Sequence, residues 1–136
     1  DFNKIQENEQ KFKKLFQTHN TFINASYVRG IQKNLLQMCS ENMTIGDVFN
    51  IGSTYEYDKL GGEAVTKNKI ELREMSLSLN TFRLQTTHIV MGGIDTGLPN
   101  TETWIKPKKI AEMIKWVTEQ DVKIPIIGID QPKRPW

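Results

Sequence analysis

Apolar positions along this chain follow two alternating rhythms. Short dense runs occur at Val48, Phe49 and Ile51, at Ile89, Val90 and Met91, and at Ile124, Ile126, Ile127 and Ile129. Runs of this kind, closed by glycine or a turn, predict strands buried on both faces. Between them apolar residues recur every three or four positions, the period of a helix with one buried stripe. From Asn8 to Met38 the residues Phe12, Leu15, Phe16, Phe22, Ile23, Val28, Ile31, Leu35 and Met38 predict one long helix, kinked near Thr18 to Thr21, with Gly30 inside it. Leu72, Met75, Leu79 and Phe82 predict a second over 64–82, and Ile110, Met113, Ile114 and Val117 a third, opened by Pro107. The strands are expected at Met43–Ile51, Thr87–Met91 and Val122–Ile129, and a Pro-rich arm runs from Gln131 to Trp136. Helices alternating with apolar strands imply an α/β fold on a parallel sheet with crossovers.

Composition narrows this little. At 136 residues the chain is one domain at most, with 38% hydrophobic and 25% charged residues and a net charge of +2, so no nucleic-acid partner is indicated. Cys39 is the single cysteine; no internal disulfide is possible, and it reads as a small buried hydrophobe. No run approaches the roughly 20 apolar residues of a membrane span, and no signal-peptide pattern opens the chain. The expected location is cytoplasmic. His19 and His88 are far apart, so no metal cluster has plausible spacing.

The chemistry concentrates between Asp47 and Met75. Gly52-Ser53 closes the first strand, and a polar loop leads to Gly61-Gly62, where the second helix begins. Ser53 should therefore lie at a strand's carboxyl end, facing Lys67 on the helix, which is where open α/β sheets place their ligands.

These residues carry a resemblance. Asn50-Ile51-Gly52-Ser53, then Ala64-Val65-Thr66-Lys67 running into Glu71 to Leu79, resembles the active-site strand and helix of the short-chain dehydrogenase/reductase family. His88 to Thr96 resembles the strand and turn that close over the nicotinamide, Lys106 to Val117 a late helix, Ile124 to Asp130 the last strand, and Phe12 to Asn20 the helix bearing the active-site Asn. The fold so implied is the C-terminal half of a Rossmann-like doubly wound parallel sheet, one domain portion over 1–136, without the dinucleotide-binding half that carries the Gly-rich turn and an Asn-Asn-Ala-Gly strand.

The resemblance also implies roles. In the family a Tyr four residues before the Lys is the general acid/base, the Lys lowers its pKa and holds the cofactor ribose, and a Ser polarises the substrate oxygen. Ser53, Lys67 and Asn20 stand at three of these positions, but Glu63 stands at the Tyr. A carboxylate beside an ammonium is ionised at neutral pH and has no proton to donate; as an ordinary (i, i+4) pair, Glu63 and Lys67 would simply support the helix start. Tyr55 and Lys59 also spell YxxxK, yet Gly61-Gly62 follows at once, and Tyr57 is a further loop phenol. Lys67, Gly92, Ile94 and Thr96 would touch the ribose and nicotinamide end of NAD(P), which is not expected to bind tightly to this chain alone. Two functions follow from the resemblance: an impaired NAD(P)-dependent oxidoreductase, or a non-catalytic protein that oligomerises through helices 8–38 and 64–82, which in the family pair as a four-helix bundle.

Overall fold

The computed structural model describes residues 2–26 and 30–131, with side chains from Gln6 onward. Its elements are α1 (Phe2–Thr18), β1 (Thr21–Asn24), α2 (Ile31–Asn42), β2 (Gly46–Ile51), α3 (Tyr55–Asp58), α4 (Glu63–Ser78), β3 (Leu84–Met91), α5 (Pro107–Thr118) and β4 (Ile126–Ile129). The strands form one sheet in the order β1-β2-β3-β4, and every pair is parallel. The α/β fold implied by the alternation of periods is therefore present.

Successive residues of a strand point to opposite faces, and the two cores follow from this. Val48 joins Phe16, Leu36, Cys39, Met43, Leu72 and Leu84 beneath α1, α2 and α4. Its neighbour Phe49 joins Ile89, Met91, Ile105 and Val117 on the other face, under α5. The central strand β3 is buried at every position but Gln85, whereas β4 alternates between exposed and half-buried residues, as an edge strand does. Cys39 is fully buried, and burial pushes its thiol up to about 12, as fits a packed small hydrophobe.

Three expectations need correction. The helix expected over 8–38 is two helices separated by β1, because Phe22 belongs to a strand and packs edge-on against Phe16 with ring centroids 4.8 Å apart. The mixed spacing of Phe22 and Ile23 was the strand's, not a kinked helix's; Tyr27 and Val28, like the arm beyond Gln131, lie outside the described residues. Gly30 is not inside a helix but caps α2 with φ 85°, a left-handed conformation that glycine adopts without a steric penalty. Finally, α4 ends at Ser78 and Phe82 is 89% exposed, so the buried stripe stops at Leu79. The short helix α3 lies within what reads as a polar loop.

Candidate functional site

β1, β2 and β3 end at one edge of the sheet, and each presents a polar residue there toward α2 and α4. Asn24 pairs with Asn50, and Asn50 with His88, so the three form a single rung across adjacent strands. Asn24 Nδ2 donates to Asn50 Oδ1 at 3.0 Å, and Asn50 Nδ2 lies 3.0 Å from His88 Nδ1. With Asn50 donating, Nδ1 must accept, so the network assigns the His88 proton to Nε2. Nε2 in turn meets Glu56 Oε1 at 2.6 Å, where both side chains are fully buried. The other oxygen of Glu56 faces Arg73 Nη1 of α4 at 3.4 Å.

The other end of the rung is tied to α2. Gln32 Nε2 donates to the carbonyls of Asn24 (2.9 Å) and Ile51 (2.5 Å), and Asn24 Nδ2 returns a bond to the Gln32 carbonyl at 2.8 Å. Lys69 Nζ lies 3.4 Å from Gln32 Oε1. Burial lowers the Lys69 pKa, against the opposing pull of the Glu56 charge. Buried polar groups must be paired to be tolerated, and here the pairing runs from Lys69 through amides and imidazole to Arg73.

Ser53 lies two residues beyond the end of β2, as expected. Its Oγ accepts the Tyr55 amide at 3.2 Å, and its own amide reaches Glu56 Oε1 at 3.4 Å. The lysine that α4 turns toward this strand end is Lys69, not Lys67. Lys67 is 80% exposed and pairs with Glu71 at 4.0 Å rather than with Glu63, which is itself exposed at the first turn of α4. The residue four before Lys69 is Val65, half-buried and apolar. Asn20 stands at the opposite edge of the sheet, where its carbonyl accepts the Asp47 amide at the start of β2, some 20 Å of strand away from Ser53. Asn20 is thus a connector between α1 and β1, and the polar residues met at the site are Asn24, Gln32, Asn50, Glu56, Lys69, Arg73 and His88.

The loop phenols sit on α3 at the same edge. Tyr55 is 40% exposed, with its ring beside Gly61 and near the Val65 side chain. Tyr57 is 61% exposed, and desolvation together with Asp130, Asp58 and Glu56 pushes its pKa up, which makes it a poorer proton donor. Beyond β3, Gly92 donates its amide to Ile129, Ile94 bridges to Ile105, and Thr96 is exposed. Among the described residues no group of three His, Cys, Asp or Glu is placed to hold a metal ion, and no helix is long and apolar enough to cross a membrane.

Sequence reasoning missed the rung although a signal for it existed. Two of the apolar strand runs carry a side chain of this kind, Asn50 in one and His88 in the other, and a polar residue inside a run buried on both faces needs a partner.

No family model matches the sequence, and no curated protein matches it. Solved structures do. A betaketoacyl-ACP reductase from Bacteroides thetaiotaomicron superposes with a TM-score of 0.68 at 17% identity, over 93% of this chain and 68% of that one. A short-chain dehydrogenase/reductase described as a glucose/ribitol dehydrogenase, from Brucella melitensis, gives 0.65 at 12% identity over 90% and 71%. MalC reductase/Diels-Alderase from Malbranchea aurantiaca gives 0.64 at 12% identity over 90% and 68%. The four parallel strands and their flanking helices thus have the Rossmann-like α/β fold of short-chain dehydrogenase/reductase structures.

Proposed function

We propose that this chain is a short-chain dehydrogenase/reductase-like domain that does not itself carry out carbonyl reduction and that acts as a non-catalytic, self-associating core. The observation that carries the reading is the inner face of α4. Toward the strand ends it presents Val65 and Lys69, one helical turn apart, with an isopropyl group at the position where the resemblance asks for a phenol. Glu63, the residue four before Lys67, is on the solvent side and is no substitute. Most of the remaining polar groups of the strand ends bond to one another and hold α2, α3 and α4 on the sheet, with Asn24 Oδ1 left buried and unpartnered.

The residues present also fit a nicotinamide dinucleotide poorly. A glycine beside a bound cofactor is useful where its missing Cβ leaves room for the ligand, and here that room is taken by the chain itself. The space beside Gly52 is filled by His88 and Glu56, beside Gly92 by Asp130, and beside Gly93 by Trp104. Carboxylates of Glu56, Asp58 and Asp130 gather around Tyr57 at the same edge, a field that disfavours an anionic cofactor. No step of chemistry is therefore assigned to NAD(P).

The test is oxidation of NADPH and NADH in the presence of a panel of ketones and aldehydes. The expected result is no turnover above the uncatalysed rate, and Val65→Tyr should not be needed for folding. Turnover by the unaltered protein that disappears in Lys69→Ala would overturn the reading in favour of an oxidoreductase with a different proton donor.

A further inference from the structure

The segment between β3 and α5 is stapled to itself around one carboxylate. Its base is closed by a bridge between Ile94 and Ile105: the Ile105 amide donates to the Gly93 carbonyl and the Asp95 amide to the Ile105 carbonyl, both at 2.9 Å. Above that base Asp95 Oδ1 accepts the Gly97 amide at 2.9 Å and the Thr101 hydroxyl at 3.0 Å, while Oδ2 pairs with Lys106 Nζ. Lys106 also donates to the Glu102 carbonyl at 2.9 Å. Thr101 is 7% exposed, its one hydroxyl proton shared between Asp95 Oδ1 and the Leu98 carbonyl at 2.7 Å, and the Trp104 amide donates to the Thr101 carbonyl at 3.0 Å. The indole of Trp104 lies on Gly93, where a Cβ would touch it at 2.7 Å.

This segment leaves the sheet at the edge that carries Ser53, for the Thr54 amide donates to the Met91 carbonyl, the last residue of β3, at 3.0 Å. Long loops without elements of their own are usually functional or mobile; here one side chain ties several parts of the loop together.

We propose that Asp95 is a latch, and that by holding Lys106, Thr101 and Gly97 together it keeps residues 96–104 folded as one preformed flap beside the strand ends in the absence of any ligand. The latch has two attachments of different kind. Thr101 and Gly97 fix the flap internally, whereas Lys106, at the start of α5, fixes it to the body of the domain. Release of Lys106 loosens the flap and weakens its internal bonds, and loss of Asp95 unravels it. The latch holds whether or not the domain turns over a substrate.

Amide hydrogen exchange of the full chain, followed residue by residue by NMR, tests this. In the unaltered protein the Gly97, Thr101 and Trp104 amides should all be protected. Asp95→Ala should accelerate all three together by about tenfold or more, while the Ile89 and Val90 amides of β3 stay unchanged. Lys106→Gln, which keeps the side chain and removes the charge, should accelerate the same three by a smaller factor. Exchange of these amides at unprotected rates in the unaltered protein would overturn the latch. So would an Asp95→Ala effect confined to Gly97, which would mark a purely local turn. Should Asp95→Ala unfold the domain and expose Ile89 as well, Lys106→Gln decides: unchanged exchange in the flap overturns the proposal.

Discussion

Glu56 Oε1 accepts the hydrogen bond of the His88 Nε2–H at 2.6 Å in a place that solvent does not reach. The pair joins the middle of β3 to α3, and through Arg73 to α4, so one carboxylate fastens three elements. Glu56→Ala would leave a buried N–H and a guanidinium without their acceptor, and a buried donor stripped of its partner costs about 1–3 kcal/mol. Glu56→Gln keeps the acceptor for His88 and should lose clearly less. Urea unfolding midpoints of the two variants measure the difference. Equal midpoints for Glu56→Ala and the unaltered protein would show that the bond adds nothing to stability.

Gly52 owes its identity to that pair. A Cβ at this position would overlap both His88 Nε2 and Glu56 Oε1, neither of which has free space to retreat into. Gly52→Ala should therefore destabilise the domain by about 1–3 kcal/mol, the usual cost of overpacking a closed site. Because the clash comes from the buried pair, the double variant Gly52→Ala with Glu56→Ala should lose less than the two single losses added together.

The carboxyl of Asp95 is held down at about 2, below its ordinary 3.8, first by the bond from Lys106 and then by those from Gly97 and Thr101. A depressed carboxyl pKa stabilises the folded form at pH above the unfolded value, and that contribution is lost as the pH falls through the folded value. Flap order should therefore be constant from neutral pH down to about 4 and be lost between about 4 and 2. The Gly97 amide shift, followed against pH, should turn near the lower figure, and in Asp95→Asn that inflection should vanish. An inflection at the ordinary carboxylate value would mean the Lys106 bond is not formed in solution.

Self-association is proposed through the helices of 8–38 and 64–82, with α2 and α4 as the pair to test. These helices lie side by side, joined by Lys33 and Glu71 at 2.7 Å, and they leave Ile31 (41% exposed) and Leu77 (36% exposed) at the surface. A helix that is apolar on a second side gains by burying it. Sedimentation at micromolar concentration should show a dimer or tetramer, and Leu77→Lys or Ile31→Glu should shift it toward monomer. A monomer throughout that range, for the unaltered protein, would refute the proposed association.

The fold was legible from Val48, Phe49, Ile89 and Val90, because strands buried on both faces concentrate apolar residues as nothing else does. It was less legible at β1. Four residues, Thr21 to Asn24, are too few to display a period, and they lie between two true helices whose spacing absorbs them.

The site was legible in part. Ser53 followed from the Gly52-Ser53 stop, but the sequence pointed to Lys67, and finding Lys69 needed the rotation of α4, since two residues along a helix is a turn of about 200°. The inward stripe of that helix, Thr66, Lys69, Leu72, Arg73 and Ser76, is mostly polar and does not register as a buried face in a count of apolar residues.

The order of strands in the sheet is also their order in the chain, and this governs how the domain can assemble. Paired residues lie 26 positions apart between β1 and β2, and 38 apart between β2 and β3 and again between β3 and β4. No pairing in the sheet requires the two ends of the chain to meet. Each loop to be closed is a single strand-helix-strand unit, and closure entropy grows only slowly over such lengths. The sheet can therefore grow outward from β2 and β3, each new strand docking onto an edge already formed. During synthesis β1, β2 and β3 can pair before Ile126 has been added, so the rung of Asn24, Asn50 and His88 is complete while the last strand is still to come.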